Sequence, residues 1–120
     1  MSLFRAVPIH VHAALEVLGA PLLIAAPFAF GFSYLAGALS IALGILLIGL
    51  AASVYGGGDR GNLPLSAHAG FDYTLAAATV AAGVVAGIAG DYVATVFLVG
   101  FGSAHMALTA STRFSRPLGT

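Results

Sequence analysis

Apolar positions in this chain gather into four long runs separated by short polar or glycine-rich breaks. Residues 11–33, 34–55, 65–89 and 91–112 show neither the two-residue alternation of a strand nor an obvious one-sided polar face. A helix needs about 20 apolar residues to cross about 30 Å of hydrocarbon, so each run predicts a membrane-spanning helix. The one long break is residues 56–64, Gly-Gly-Gly-Asp-Arg-Gly-Asn-Leu-Pro. Its glycines end the second helix, and Pro64 suits the start of the third. The breaks around residues 31–34 and 90–91 are short, which predicts two antiparallel helical hairpins. Pro21 and Pro27 fall inside helix one and predict bends of a kind membrane helices tolerate. Gly37, Gly44 and Gly49, with the GxxxG pair Gly83 and Gly87, predict close helix packing through small residues.

The polar positions within the runs recur. His12 and Glu16 in helix one answer to His68 and Asp72 in helix three, an offset of 56 residues. Ser33-Tyr34 answers to Asp91-Tyr92, and Leu50 to Ser53 answers to Leu108 to Ser111, an offset of 58. Halves of residues 10–55 and 65–113, each with two spans, predict two pseudo-symmetric hairpins related by a two-fold axis along the membrane normal. The fold class is all-α, a single transmembrane four-helix domain over residues 1–120.

Composition agrees and sets limits. Of 120 residues, 60% are hydrophobic and 7% charged, with mean hydropathy +1.05 and formal net charge +0. Soluble domains carry roughly 25% charged residues, so this set cannot cover a water-facing surface, and it lacks the basic excess of a nucleic-acid binder. With no cysteine, disulfides and thiolate chemistry are excluded. Arg5, Arg60, Arg113 and Arg116 all fall on one side of the four spans, and the other side carries only Asp91. The positive-inside rule then places both termini in the cytoplasm, N-in and C-in, in the cytoplasmic (inner) membrane. Arg5 ahead of an apolar run has the look of a signal peptide, but the run outlasts a typical 7–15-residue apolar region and reads as a span.

The segment from Leu18 to Ser33, with the Gly- and Leu-rich helix after it, resembles the SPW-repeat family of small bacterial membrane proteins. That repeat has two spans and a Ser-Pro-Trp motif near the outer end of the first. Here the motif position reads Ala26-Pro27-Phe28, keeping the proline alone, and the second half lacks the proline. The resemblance implies a small helical membrane protein and brings no catalytic residues.

Five ionisable side chains occupy places that lipid should forbid. His12 and Glu16 share one helix face, His68 and Asp72 repeat that spacing, and His105 lies at a similar depth, eight residues before Arg113. All five fall in one band of the cytoplasmic half. A charged carboxylate this deep costs about 2.5–3.5 kcal/mol on the lenient insertion scale, so Glu16 and Asp72 are expected to face inward and be paired. Their partners could be His12, His68, His105 or a snorkelling Arg113. The five residues could instead hold a metal; three imidazoles and two carboxylates without sulfur suit Zn, Fe or Mn. The spacing is i,i+4 rather than the i,i+3 of di-iron bundles. A third possibility is haem, with His12, His68 or His105 as axial ligands. A fourth is a proton or ion path, made difficult by an outer half whose polar side chains are few, among them Ser40, Thr79 and Thr95.

Other positions read more plainly. Phe28, Phe30, Phe32 and Tyr34, with Tyr92 and Phe97, form an aromatic belt. His10 lies on the other side of helix one from His12, among the headgroups. Ser66 suits a helix N-cap. The glycine run at 56–61 has neither the Lys-Ser/Thr nor the preceding strand of a phosphate loop. The expected role is a non-enzymatic structural or accessory subunit, in contact with lipid and with itself or a larger membrane complex. The alternative is a metal- or haem-binding bundle for electron transfer or metal handling.

Overall fold

The computed structural model describes residues 5–55 and 63–115. Most of the glycine-rich break, with Arg60 and Arg116, lies outside the described residues. Four helices make up the body: α1 Ile9–Phe30, α2 Tyr34–Tyr55, α3 Leu65–Ile88 and α4 Tyr92–Ala110. All four are long and apolar enough to cross a membrane. α1 begins two residues earlier than expected and stops three residues earlier. Pro8 caps its start in an extended conformation, and Gly31 ends it at φ 67°, where the backbone turns left-handed and the Phe32 N–H bonds the Pro27 carbonyl. Ser66 is not a cap: Pro64 holds that position in α3, with no side-chain bond.

α1 packs chiefly on α2 and α3 chiefly on α4, with smaller contacts between α2 and α3 and between α1 and α4. In lipid no hydrophobic force draws helices together, so contact depends on close backbone approach through small residues. Gly44 of α2 lies where a Cβ would stand 2.7 Å from Ile24 and 3.0 Å from the Ala20 carbonyl. Gly102 of α4 is pressed likewise, 2.7 Å from Val80 and 2.9 Å from the Ala76 carbonyl. The interior between the pairs is built from Ala20, Leu23, Ala36, Leu43, Leu47, Ala82, Ala86, Ala94 and Leu98. Large apolar and aromatic side chains point outward instead, including Leu18, Ile88, Phe28 and a fully exposed Tyr34. Glycines and alanines at the helix contacts with large apolar side chains outside is the arrangement expected of helices facing hydrocarbon.

Two features at the ends were not anticipated. Val7–Pro8 (β1) pairs in parallel with Thr112–Arg113 (β2), so the segments flanking α1 and α4 lie together at one end of the bundle. At the opposite end Asp91 caps α4 by accepting from the Ala94 N–H, and its other oxygen accepts from the Ser33 N–H at 2.8 Å. The Ser33 N–H holds the Asp91 carboxyl below the usual carboxylate range.

Because Gly102 touches backbone, Gly102→Val should cost about 1–3 kcal/mol in detergent unfolding. Gly100→Ala, at a position with nothing within 4 Å, should leave stability unchanged. A lowered folded pKa contributes stability above the unfolded pKa of about 3.9 and loses it as pH falls through the folded value. The stability gap between the parent and Asp91→Asn should therefore narrow as unfolding is followed from about pH 6 to about pH 3.

Candidate metal centre

α1 and α3 carry the same pair at the same register. His12 and His68 are each the fourth residue of their helix, and Glu16 and Asp72 each the eighth. At about 1.5 Å per residue this puts both acids about 10 Å inside a span. All four are buried, Asp72 and His12 completely. α4 adds His105, also buried. The five side chains foreseen from the sequence therefore meet in the interior, in the half of the bundle nearer the paired β1 and β2 segments.

Each histidine brings Nε2 to both acids. His12 Nε2 stands 2.8 Å from Asp72 Oδ2 and 3.0 Å from Glu16 Oε2. His105 Nε2 stands 2.9 Å from Glu16 Oε2 and 3.2 Å from Asp72 Oδ1. His68 Nε2 stands 3.1 Å from Asp72 Oδ2 and 3.4 Å from Glu16 Oε1. The last two approaches lie off the line of a hydrogen bond, and His68 Nε2 and Glu16 Oε1 are buried without a hydrogen-bond partner. Arg113 is exposed, and among the described residues the ion pairs of Glu16 and Asp72 are all with the three histidines. Of the four partners considered, the three histidines are used and Arg113 is not.

The far side of two rings decides which nitrogen carries the proton. Thr112 donates its hydroxyl to the Leu108 carbonyl at 2.6 Å, so toward His12 Nδ1, 2.8 Å away, it is left to accept. Ser53 likewise donates to the Leu50 carbonyl at 2.6 Å and accepts from His68 Nδ1 at 3.2 Å. Both Nδ1 atoms are therefore N–H donors. A neutral imidazole then presents a lone pair at Nε2, and both lone pairs look at carboxylate oxygens. Either a second proton on each ring or a metal ion removes that repulsion. Histidines that bind metals have this outer arrangement, donating the other ring N–H to an acceptor.

Donor spacing fits an ion as well. Around a centre with bonds of about 2.1 Å, adjacent ligand atoms of an octahedron or tetrahedron lie about 3.0–3.4 Å apart, close to the N–O separations here. His12, Glu16, His68 and Asp72 alone can each offer one atom within 4.8 Å of all the others. Haem does not fit. A porphyrin ring occupies the space between axial imidazoles, yet Asp72 Oδ2 already lies within 3.1 Å of the Nε2 atoms of both His12 and His68. The same carboxylate stands between His68 and His105. Ser40, Thr79 and Thr95 give their hydroxyls to the Leu23, Leu75 and Gly83 carbonyls.

Sequence reasoning missed three neighbours. Thr112 and Ser53 are the outer partners just described, and Phe114 packs over the cluster with ring centroids 5.3 Å from His12 and 6.1 Å from His68. The repeat had equated Ser53 with Ser111. Instead Ser111 bonds the Ala107 carbonyl, and Thr112, one residue further on, plays the part of Ser53. His10 is exposed.

Compared with known proteins, the chain matches no family model, and no curated protein or solved structure is significantly similar to it.

Replacing Thr112 with Val keeps its volume and leaves the His12 N–H buried without an acceptor, which should cost about 1–3 kcal/mol. Ser111→Ala should stay within about 0.5 kcal/mol of the parent in the same detergent unfolding assay.

Proposed function

We propose that this chain is an integral membrane protein that holds one divalent transition-metal ion among His12, Glu16, His68, Asp72 and His105. One observation carries the reading: the Nδ1 atoms of His12 and His68 face the Thr112 and Ser53 hydroxyls, so neutral rings would aim their Nε2 lone pairs at carboxylate oxygens. A metal cation turns that repulsion into ligation. Two carboxylates nearly neutralise a divalent ion, which lowers the cost of keeping either charge in a bundle interior. Three imidazoles, two carboxylates and no sulfur favour Zn²⁺, Fe²⁺ or Mn²⁺.

The competing reading puts two protons on the histidines, giving imidazolium–carboxylate pairs. The chain would then be the structural or accessory subunit expected from its sequence, packed against itself or a larger membrane complex. Elemental analysis separates the two. Protein purified from membranes should contain close to one such metal per chain, and Glu16→Gln with Asp72→Asn should abolish it. A metal-free preparation that takes up no Zn²⁺, Fe²⁺ or Mn²⁺ at stoichiometry would reject the ion and leave the proton-paired cluster.

The bundle is read as two helical hairpins related by a pseudo-two-fold axis along the membrane normal, in keeping with the likeness to two-span SPW repeats. The paired registers of His12 with His68 and Glu16 with Asp72 support this, as does the match of Gly44 against Ala20 with Gly102 against Ala76. The charge of Arg5 and Arg113 favours a cytoplasmic location for the end where β1 meets β2. The chain has no cysteine, so single cysteines report orientation cleanly. In intact cells an impermeant maleimide should label Tyr34→Cys and spare Ser115→Cys; the reverse would invert the topology.

A further inference from the structure

An ion held among these five side chains has to reach them from water. The nearest water is at the end where β1 meets β2, because His12, the fourth residue of α1, lies only about 5 Å from the start of its helix. In the other direction the interior is Ala20, Leu23, Leu43 and Leu98, which offer an ion nothing. A cavity between α1 and α4 touches Glu16 and His105, but its other walls include Leu15, Leu47, Phe101 and Leu108. An ion entering there would shed its hydration against hydrocarbon.

What closes the near end is not helix. Beyond α4 and its cap at Ser111, the chain runs across His12 as Thr112, Arg113 and Phe114. Thr112 is completely buried, its hydroxyl 2.8 Å from His12 Nδ1. The Phe114 ring lies over His12 and His68 and packs against Ile9, Ala13 and Val54. The backbone fastening is slight. Each strand has two residues, Pro8 has no N–H to give, and the Val7 N–H reaches the Ser111 carbonyl at 3.0 Å. A segment tied by so few backbone bonds opens locally at a fraction of the free energy needed to unfold a helix.

The two histidines differ in this respect. The outer partner of His68 is Ser53, fixed within α2, whereas the partner of His12 sits on the strap past the end of α4. One strap residue therefore orients a ligand while another covers it. Lifting the strap removes the Phe114 cover and the His12 partner in one movement, which exposes a ligand and frees its ring to turn. Conversely, an ion bound at Nε2 holds that ring with Nδ1 toward Thr112, so loading favours the closed strap. Such coupling is reciprocal.

We propose that the strap Thr112–Phe114 is the gate of the metal centre, and that the ion enters and leaves at the β1–β2 end when the strap lifts. This rests on the metal reading and adds to it a route and a moving part. The ion is then exchangeable, at a rate set by the strap.

The test loads purified protein with Zn²⁺, measures metal content on every sample, and follows loss of the ion to excess EDTA. Pro8 and Arg113 are partners in the β1–β2 pair and the chain has no cysteine, so Pro8→Cys with Arg113→Cys ties the strap by one disulfide. The oxidised form should release Zn²⁺ at least about tenfold more slowly than the same protein reduced, because local opening is blocked. Phe114→Ala should release it at least about tenfold faster than the parent, and Phe101→Ala, which widens the α1–α4 cavity instead, within about twofold of it. Full metal content with a release rate unchanged by the disulfide, or unchanged in Phe114→Ala, would overturn the gate and leave the metal reading standing. Faster release from Phe101→Ala than from Phe114→Ala would overturn it in favour of a side route. Cysteines that fail to join would contradict the strand register on which the strap rests, and overturn it too. A protein that takes up no metal would remove both readings together.

Discussion

Two carboxylates held deep inside a membrane-length bundle must be neutralised, and the rest of this structure can be traced to that requirement. Left alone in such a place, Glu16 and Asp72 would each oppose folding by several kcal/mol. Three imidazole nitrogens, from three different helices, are brought to both acids at 2.8–3.4 Å. The cluster therefore joins α1, α3 and α4 at a depth where Gly and Ala packing supplies the other contacts. Thr112 and Ser53 turn the rings of His12 and His68, and Phe114 packs against them. The pairing of β1 with β2 draws Thr112 into position, giving the short strands a role beyond closing the chain ends.

Like positions of α1 and α3 build most of the site, and α4 completes it. The acid and histidine pairs of α1 and α3 are equivalent, and Ser53 and Thr112 are their equivalent outer partners. His105 has no counterpart, because the other half has Leu47 there, a buried residue of the apolar core. The third imidazole lines a cavity between α1 and α4, beside Gly19 and Phe101.

Much of this was legible in the sequence, for a physical reason. Lipid allows few polar residues, so each one that remains is informative: the i,i+4 pairs and His105 stood out against apolar runs, and inward facing followed from cost alone. Run length gave the four helices to within three residues at each end, the largest error being α1, where Gly31 reverses the backbone before the apolar run is over. The β1–β2 pairing was not legible, since two-residue strands leave no periodicity. Thr112 was missed because Ser111 fitted the repeat offset better; the turn after α4 adds one residue and hands the role to its neighbour. Haem was suggested by histidine depth, but only the placement of Asp72 against all three Nε2 atoms rules it out.

X-ray absorption spectroscopy on the purified protein tests the central claim most directly, because it reports the ligands of whatever metal is present. The predicted spectrum has nitrogen and oxygen neighbours at about 2.1 Å with the multiple-scattering pattern of about three imidazoles. A spectrum without imidazole scattering, or a preparation with no metal edge at all, would contradict it and leave protons alone between the histidines and the two acids.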